Sequence, residues 1–405
     1  MARRIAENKN TSHEGINQNS IYKTRIRTDL SNSASIGLKQ EKMKKRNVIT
    51  ALVVNPTSSG GSTGKDWDTQ VIKIKETFGE EPEIVFTQKS GDGISLTRDL
   101  LKKGIKRIVA IGGDGTINEV ANGFFIPLES RARRNNATAI NNDNVDVGVY
   151  ESSKNEDQNE RPFPKSPVLK PINSEAIMGL LPSGTRNVLA KSLDFPEDIV
   201  QCCNNFVAGK SKKIDVISAT VTPTTNDEDS DRRPKPITRI FLNAAELGVA
   251  AEIIDKSKKV RNKVKSRLVS TVTSVALTLP YYESNLCEVS IDDGRENILT
   301  KMTMCVIANG RYLGGGFMAA PKANVSDGLL DIVILKDSGS LKMLDDLVNI
   351  KDGDYANEPD ILYRQAKKVS IKSKERDVTV AIDGEPIGNL PATFEVLRSA
   401  LSIGM

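Results

Sequence analysis

The residues from Ile111 to Phe124 read IGGDGTINEVANGF, an apolar run that ends in Gly112, Gly113, Asp114, Gly115 and Thr116 and passes at once into a helix-compatible segment. Glycines in such a turn permit positive φ and leave no Cβ between the backbone and a phosphate. The helix start that follows offers free N–H groups and a positive dipole end to an anion. Asp114, set among these glycines, can hold Mg²⁺ directly or through water beside a transferred phosphate. Two other loops share this texture: Asn55 to Gly61, NPTSSGG, and Leu181 to Asn187, LPSGTRN. Singly each reads as a turn; three of them at the carboxyl ends of neighbouring parallel strands could surround a nucleotide.

Near the other end, Asp383 and Glu385 flank Gly384 just after the strand-like run VTVAI. A DG pair is commonly a hairpin turn with an exposed acid. The only histidine, however, is His13, so a general base elsewhere in the chain has to be a carboxylate, Lys, Tyr or Cys. The same absence excludes Ser-His-Asp hydrolases and histidine-ligated zinc enzymes. Two tempting motifs fail. GGSTGKD (60–66) has Ser59 where a P-loop needs its first glycine and Asp66 where it needs Ser or Thr. Gly113 and Gly115 are followed by Asn118, so GxGxxG is incomplete as well.

The elements that must position these residues follow from periodicity. Strand-like runs at 49–56, 83–87, 107–113 and 176–182 alternate with helix-compatible segments, which predicts an α/β domain with a parallel sheet. A polar insertion at 130–173 interrupts it, and helical texture resumes at Asn187. From Lys212 the runs become shorter and β-branched (KIDVISATV, CEVSID, MTMCVIANG, LLDIVIL, KVSIKS), which predicts a largely antiparallel second domain, a sandwich or barrel. The domains expected are 47–211, with its insertion and a completing segment at 393–405, and 212–392, with a second insertion at 222–237. Leu341, Leu344, Leu347 and Val348 have helical spacing.

Composition narrows the setting. The net charge of +5 comes from residues 1–46, a basic segment expected to be disordered, which holds 11 Lys and Arg against 4 acids; the body is slightly acidic, and no nucleic-acid partner is expected. Four cysteines with no zinc spacing, and no signal-like N-terminus, point to the cytoplasm. The apolar stretch 268–282 is too short to span a bilayer. The adjoining KSKKVRNKVKSR (256–267) carries seven Lys and Arg and could rest on an anionic membrane surface.

Taken together, NPTSSGG (55–61), GGDGTINEV (112–120), LPSGTRNVLA (181–190), KIDV (213–216), ANGRYLGGGFMAAPKANVSDGLLDIVIL (308–335) and DGE (383–385) resemble the diacylglycerol kinase catalytic-domain family, in its order and approximate spacing. The resemblance implies an ATP-binding α/β domain, a C-terminal β-sandwich across a cleft, a final segment that returns to the first domain, and transfer of phosphate from ATP to a lipid hydroxyl with Mg²⁺. It assigns nucleotide contacts to Asn55, Pro56, Thr57, Ser58, Thr87, Gly112, Gly113, Asp114, Gly115, Thr116, Asn118, Glu119, Gly184, Thr185 and Asn187. Glu385 matches the residue that accepts the substrate proton, and Asp114 and Asp215 match acids around the catalytic magnesium. Asp327, with carbonyls of Asn324 and Leu329, matches a structural metal site. A lipid substrate, peripheral membrane contact and a possible homodimer go with the family. Two departures stand out: Val188 where many relatives have Asp, and the 130–173 insertion. NAD kinase, which shares the GGDG loop, and a non-catalytic nucleotide-binding regulator are the alternative readings.

Overall fold

A computed structural model describes residues 49–128, 162–224, 235–261, 278, 281–314 and 317–405. The expected disorder of 1–46, the body of the 130–173 insertion and most of 262–280 lie outside the described residues.

The parallel layer consists of β1 (Thr50–Val54), β2 (Glu83–Phe86), β3 (Arg107–Gly112) and β6 (Ile177–Pro182), in the order β6-β3-β1-β2. Its strands read as continuous apolar runs because both faces are covered, the expected signature of a parallel sheet. Leu52, Val54, Val109 and Ile111 pack against α2 (Trp67–Phe78) and α6 (Ile199–Val207). Ala51, Val53, Ile108 and Ala110 belong to the opposite face, where α3 (Asp92–Lys102) and α4 (Asp114–Gly123) bury Leu100, Leu101, Ile117 and Val120. Between these lie a 3-10 turn at Ser58–Gly61, α1 (Ser62–Lys65) and α5 (Val188–Ser192). The helical texture after Asn187 is thus two short helices.

A small antiparallel pair, β4 (Phe125–Pro127) with β5 (Leu169–Pro171), corrects the insertion boundary, since residues 169–171 are strand. The second insertion is also shorter than 222–237. Thr222 ends β7 (Ser211–Thr222), and Ile237 begins its antiparallel partner β8 (Ile237–Phe241).

The antiparallel part contains β9 (Ala244–Gly248), β10 (Asn285–Ile291), β11 (Glu296–Ala308), β12 (Leu330–Lys336), β13 (Ile361–Ala366), β14 (Lys368–Ser373), β15 (Thr379–Ile382) and β16 (Glu385–Gly404). Burial alternates strictly along β10, as a strand with one face on a core requires. That core gathers Ile217, Leu247, Val380 and Phe394 from β7, β9, β15 and β16 with Val289, Ile307, Ile332 and Ile371 from β10, β11, β12 and β14. Helices α7 (Val249–Arg261) and α8 (Ser340–Asp352) complete this part.

β16 joins the two regions. It opens at Glu385, pairs antiparallel with β15, β14 and β7, and near its end pairs parallel with β6 through Ser402 and Ile403. β7 follows it from Ser211↔Gly404 to Asn389↔Thr222, so the 211/212 boundary falls inside a strand. Among the described residues no helix is long and apolar enough to cross a membrane. On α7, Lys256 and Lys259 pair with Glu252 and Asp255 one turn back, which neutralises part of the basic segment.

Candidate active site

The loops that follow β1, β3 and β6 meet at one edge of the parallel layer. Asn55 Nδ2 donates to Thr116 Oγ1 at 3.0 Å, while Asn55 Oδ1 accepts from the N–H and hydroxyl of Thr57. The Ser183 N–H donates to the Gly112 carbonyl at 3.0 Å, and the hydroxyls of Ser58, Thr63 and Ser183 lie 2.6–3.3 Å apart. The Thr87 N–H donates to the Val54 carbonyl, so β2 delivers Thr87 to the same edge. Thr57, Thr185 and Arg186 are exposed there.

The glycines act differently from the expectation. None of Gly112, Gly113 and Gly115 has positive φ. A Cβ on Gly184 would stand 2.5 Å from the Gly113 Cα, so what these glycines allow is the approach of two backbones. Gly113 begins α4 in extended conformation and no side chain caps that helix, whose first-turn N–H groups are the donors expected to face an anion. Asp114 Oδ1 accepts from the Val188 N–H at 2.7 Å, which ties the GGDG turn to the start of α5.

Opposite stands the turn between β15 and β16. Asp383 (φ 46) and Gly384 (φ 80) close it, a geometry suited to Asp-Gly. The Asp383 carboxylate is an anchor. Its Oδ1 accepts from the N–H groups of Asn243 and Ala244, and its Oδ2 from the Leu242 N–H and the Asn118 amide. Desolvation pushes this carboxyl above the usual range, and the four donors oppose that shift. The turn places Glu385, which is exposed, over α4: its Oε1 lies 3.9 Å from where a Cβ on Gly115 would stand.

Several assigned residues also hold the fold together. Asn118 gives its amide hydrogens to Asp383 and the Ile240 carbonyl, which leaves that amide no donor for a nucleotide. Glu119 accepts from the N–H groups of Gly91 and Gly93 at the start of α3. Asn187 holds its own loop through the Gly184 N–H and the Pro182 carbonyl. Asp215 is fully buried, and its oxygens accept from the N–H groups of Gly328 and Ser399, each at 2.6 Å. These two bonds staple β7 to the 326–328 loop and to β16.

Asp114 is the acid at the phosphate loops that fits Mg²⁺ arriving with nucleotide, because this ion needs one or two carboxylates plus phosphate and water. In the 324–329 loop the Asn324 carbonyl accepts from the Ser326 N–H, and Asp327 Oδ1 accepts from the Leu329 N–H, so the turn closes through its own bonds. Among the described residues no three acidic, Cys or His side chains cluster as a metal site. A cavity of about 330 Å³ lined by Asp194, Lys212, Arg311 and Asn324 lies beside that loop and does not include the GGDG turn. Thr63, Ser183 and Arg186 are site residues to which motif reading gave no role, and Asp383, noted beside Glu385, was given none either. The hydroxyls were visible in GGSTGKD and LPSGT, whereas the role of Asp383 depends on contacts 140 residues away.

A parallel layer with three glycine- and hydroxyl-rich loops at one edge, faced by a carboxylate from the antiparallel part, is an arrangement that a phosphate-bearing ligand would fit. Residues 50–160 and 164–219 match the family described as "Diacylglycerol kinase catalytic domain", and residues 244–405 match "YegS C-terminal NAD kinase beta sandwich-like domain". The chain belongs to the diacylglycerol kinase catalytic-domain family. It is 22% identical over 361 residues to a diacylglycerol kinase of Staphylococcus carnosus (strain TM300), covering 89% of this chain and 95% of the relative. It is 23% identical over 363 residues to a diacylglycerol kinase of Bacillus subtilis (strain 168), covering 87% and 95%. A crystal structure of a diacylglycerol kinase from Bacillus anthracis str. Sterne shares the fold with a TM-score of 0.55 at 20% identity, over 88% of this chain and 96% of that one.

Proposed function

We propose that the protein transfers the γ-phosphate of ATP to the hydroxyl of a diacylglycerol-like lipid. The observation that carries this reading is the Glu385 carboxylate standing over the first turn of α4, beside Gly115. Phosphoryl transfer asks mainly for positioning and charge neutralisation. The loops at Asn55, Gly113 and Gly184 hold the triphosphate, with the α4 N–H groups turned toward its γ-phosphate. The acceptor oxygen forms its bond to the γ-phosphorus as the bond to the β–γ bridging oxygen breaks. ADP leaves with that electron pair, and Glu385 takes the acceptor's proton. Asp114 would hold Mg²⁺, which neutralises phosphate charge when bound. The structural metal assigned to Asn324, Asp327 and Leu329 belongs to the same proposal, as does peripheral contact with an anionic membrane.

The test is radiolabelled ATP with a panel of diacylglycerol, dialkyl glycerol ether, polyprenol, sphingoid base and NAD, followed by chromatography of the products. Label in a lipid supports the reading. Label in NAD alone assigns the nicotinamide reaction instead, an arm included because the second region matches a sandwich described as NAD kinase-like. No label in any acceptor leaves a nucleotide-binding regulator.

A further inference from the structure

The segments 55–61, 112–116, 181–187 and 383–385 hold the acids Asp114, Asp383 and Glu385 and a single cation, Arg186. Arg107, Arg364 and Arg376 pair with Glu80, Glu296 and Glu283. No such pair and no hydrogen bond engages the Arg186 guanidinium among the described residues, and the residue is exposed. Two glycines mark where it lies. A Cβ on Gly314, in the loop after β11, would stand 3.3 Å from the Arg186 Cζ and 3.7 Å from its Cδ. A Cβ on Gly384 would stand 3.7 Å from its Nη2. A side chain from the loop after β6 therefore reaches the turn that carries Glu385, whose own Oε1 lies 3.9 Å from where a Cβ on Gly115 would stand.

The loop that carries Arg186 also touches the GGDG turn, where Gly184 meets Gly113, so this guanidinium and the first turn of α4 border one space. We propose that Arg186 is a catalytic residue whose guanidinium binds oxygens of the γ-phosphoryl group and neutralises their charge during transfer. Its planar fork of donors matches two phosphate oxygens at once, which a point charge does not. Its reach to Gly384 selects the γ-phosphate, because that is the phosphate that must meet the acceptor beside Glu385. The bonds made and broken are those of the transfer already described, and Arg186 exchanges no proton. Gly314 belongs to the same device: the missing Cβ leaves the room in which the guanidinium lies, and a methyl there would push it aside. Gly314 has no positive φ, so alanine is tolerated by its backbone.

The inference rests on the lipid kinase reading, and a binding arm that needs no acceptor keeps their failures apart. Full-length wild type, Arg186→Ala, Arg186→Lys and Gly314→Ala are titrated with ADP and with a non-hydrolysable ATP analogue, each with Mg²⁺. Arg186→Ala should lose about tenfold in affinity for the analogue and none for ADP, which has no γ-phosphate. In transfer assays its kcat should fall by about 10³-fold. Dilute guanidinium chloride should restore part of that rate, a rescue that a merely structural arginine would not show. Arg186→Lys, which keeps the charge and loses the fork, should stay about tenfold below wild type. Gly314→Ala should lower kcat by about tenfold and cost nothing further when combined with Arg186→Ala. Unchanged analogue affinity in Arg186→Ala, equal losses for ADP and analogue, or additive losses in the double variant would overturn the proposal. If Arg186→Ala does not fold, the Lys variant's titration decides. If wild type labels no acceptor, the kinase reading fails by itself and the titrations decide the role of Arg186. If wild type binds neither nucleotide, both fall.

Discussion

The two sides of the proposed cleft are built by different means. On the phosphate side, loops after β1, β3 and β6 touch through backbone, with Gly184 against Gly113 and a web of hydroxyls from Ser58, Thr63 and Ser183. On the acceptor side, one turn is suspended from a single carboxylate: Asp383 accepts four hydrogen bonds, from Asn118, Leu242, Asn243 and Ala244. Small residues at strand ends make a surface for an anion. A side chain that must point at a reacting atom needs long-range anchors instead.

The sharpest way to break this comparison is on the acceptor side. Glu385→Gln should lower kcat by about 10²–10⁴-fold with ATP affinity unchanged, as measured by turnover and by nucleotide titration. Near-normal turnover would remove Glu385 from the mechanism. On the phosphate side, Gly184→Ala drives a methyl into the Gly113 backbone. Stability should fall by about 1–3 kcal/mol through overpacking, seen as a lower Tm, and the loss in kcat/KM should reach about 10²-fold through misplaced phosphates. Asp383→Ala strands several donors at once, so chemical denaturation should show a loss of about 3 kcal/mol, with the 383–385 turn exchanging faster. Last, Lys103→Met removes the exposed pair with Glu83 far from both sides, and Tm and activity should stay unchanged.

The same contrast explains what was legible in the sequence. The strands at 49–56, 107–113 and 176–182 were readable because parallel strands covered on both faces carry unbroken apolar runs. The phosphate loops were readable because glycine and hydroxyl residues at strand ends have local reasons to be there, although the reason at Gly113 proved to be backbone approach and not positive φ. The bonds of Asp215 were not legible, since an acid in a KIDV strand does not announce the two backbone N–H groups it meets at Gly328 and Ser399. The burial of Glu246, one charge between Ala245 and Leu247, was not read from the sequence; it depends on β9 pairing with β15 at Ala381, which no local pattern specifies. Asn118 was assigned as a nucleotide contact by the family resemblance alone. The register of α4 sends it across to Asp383.

The central claim is spatial, so the most direct measurement is a crystal structure with Mg²⁺ and a non-hydrolysable ATP analogue. The account predicts the γ-phosphate at the first turn of α4, with the Glu385 carboxylate within about one water of the oxygen that would attack it. A triphosphate seated elsewhere, for instance in the cavity beside Lys212 and Arg311, or Glu385 turned away from a nucleotide bound at Gly113, would contradict it.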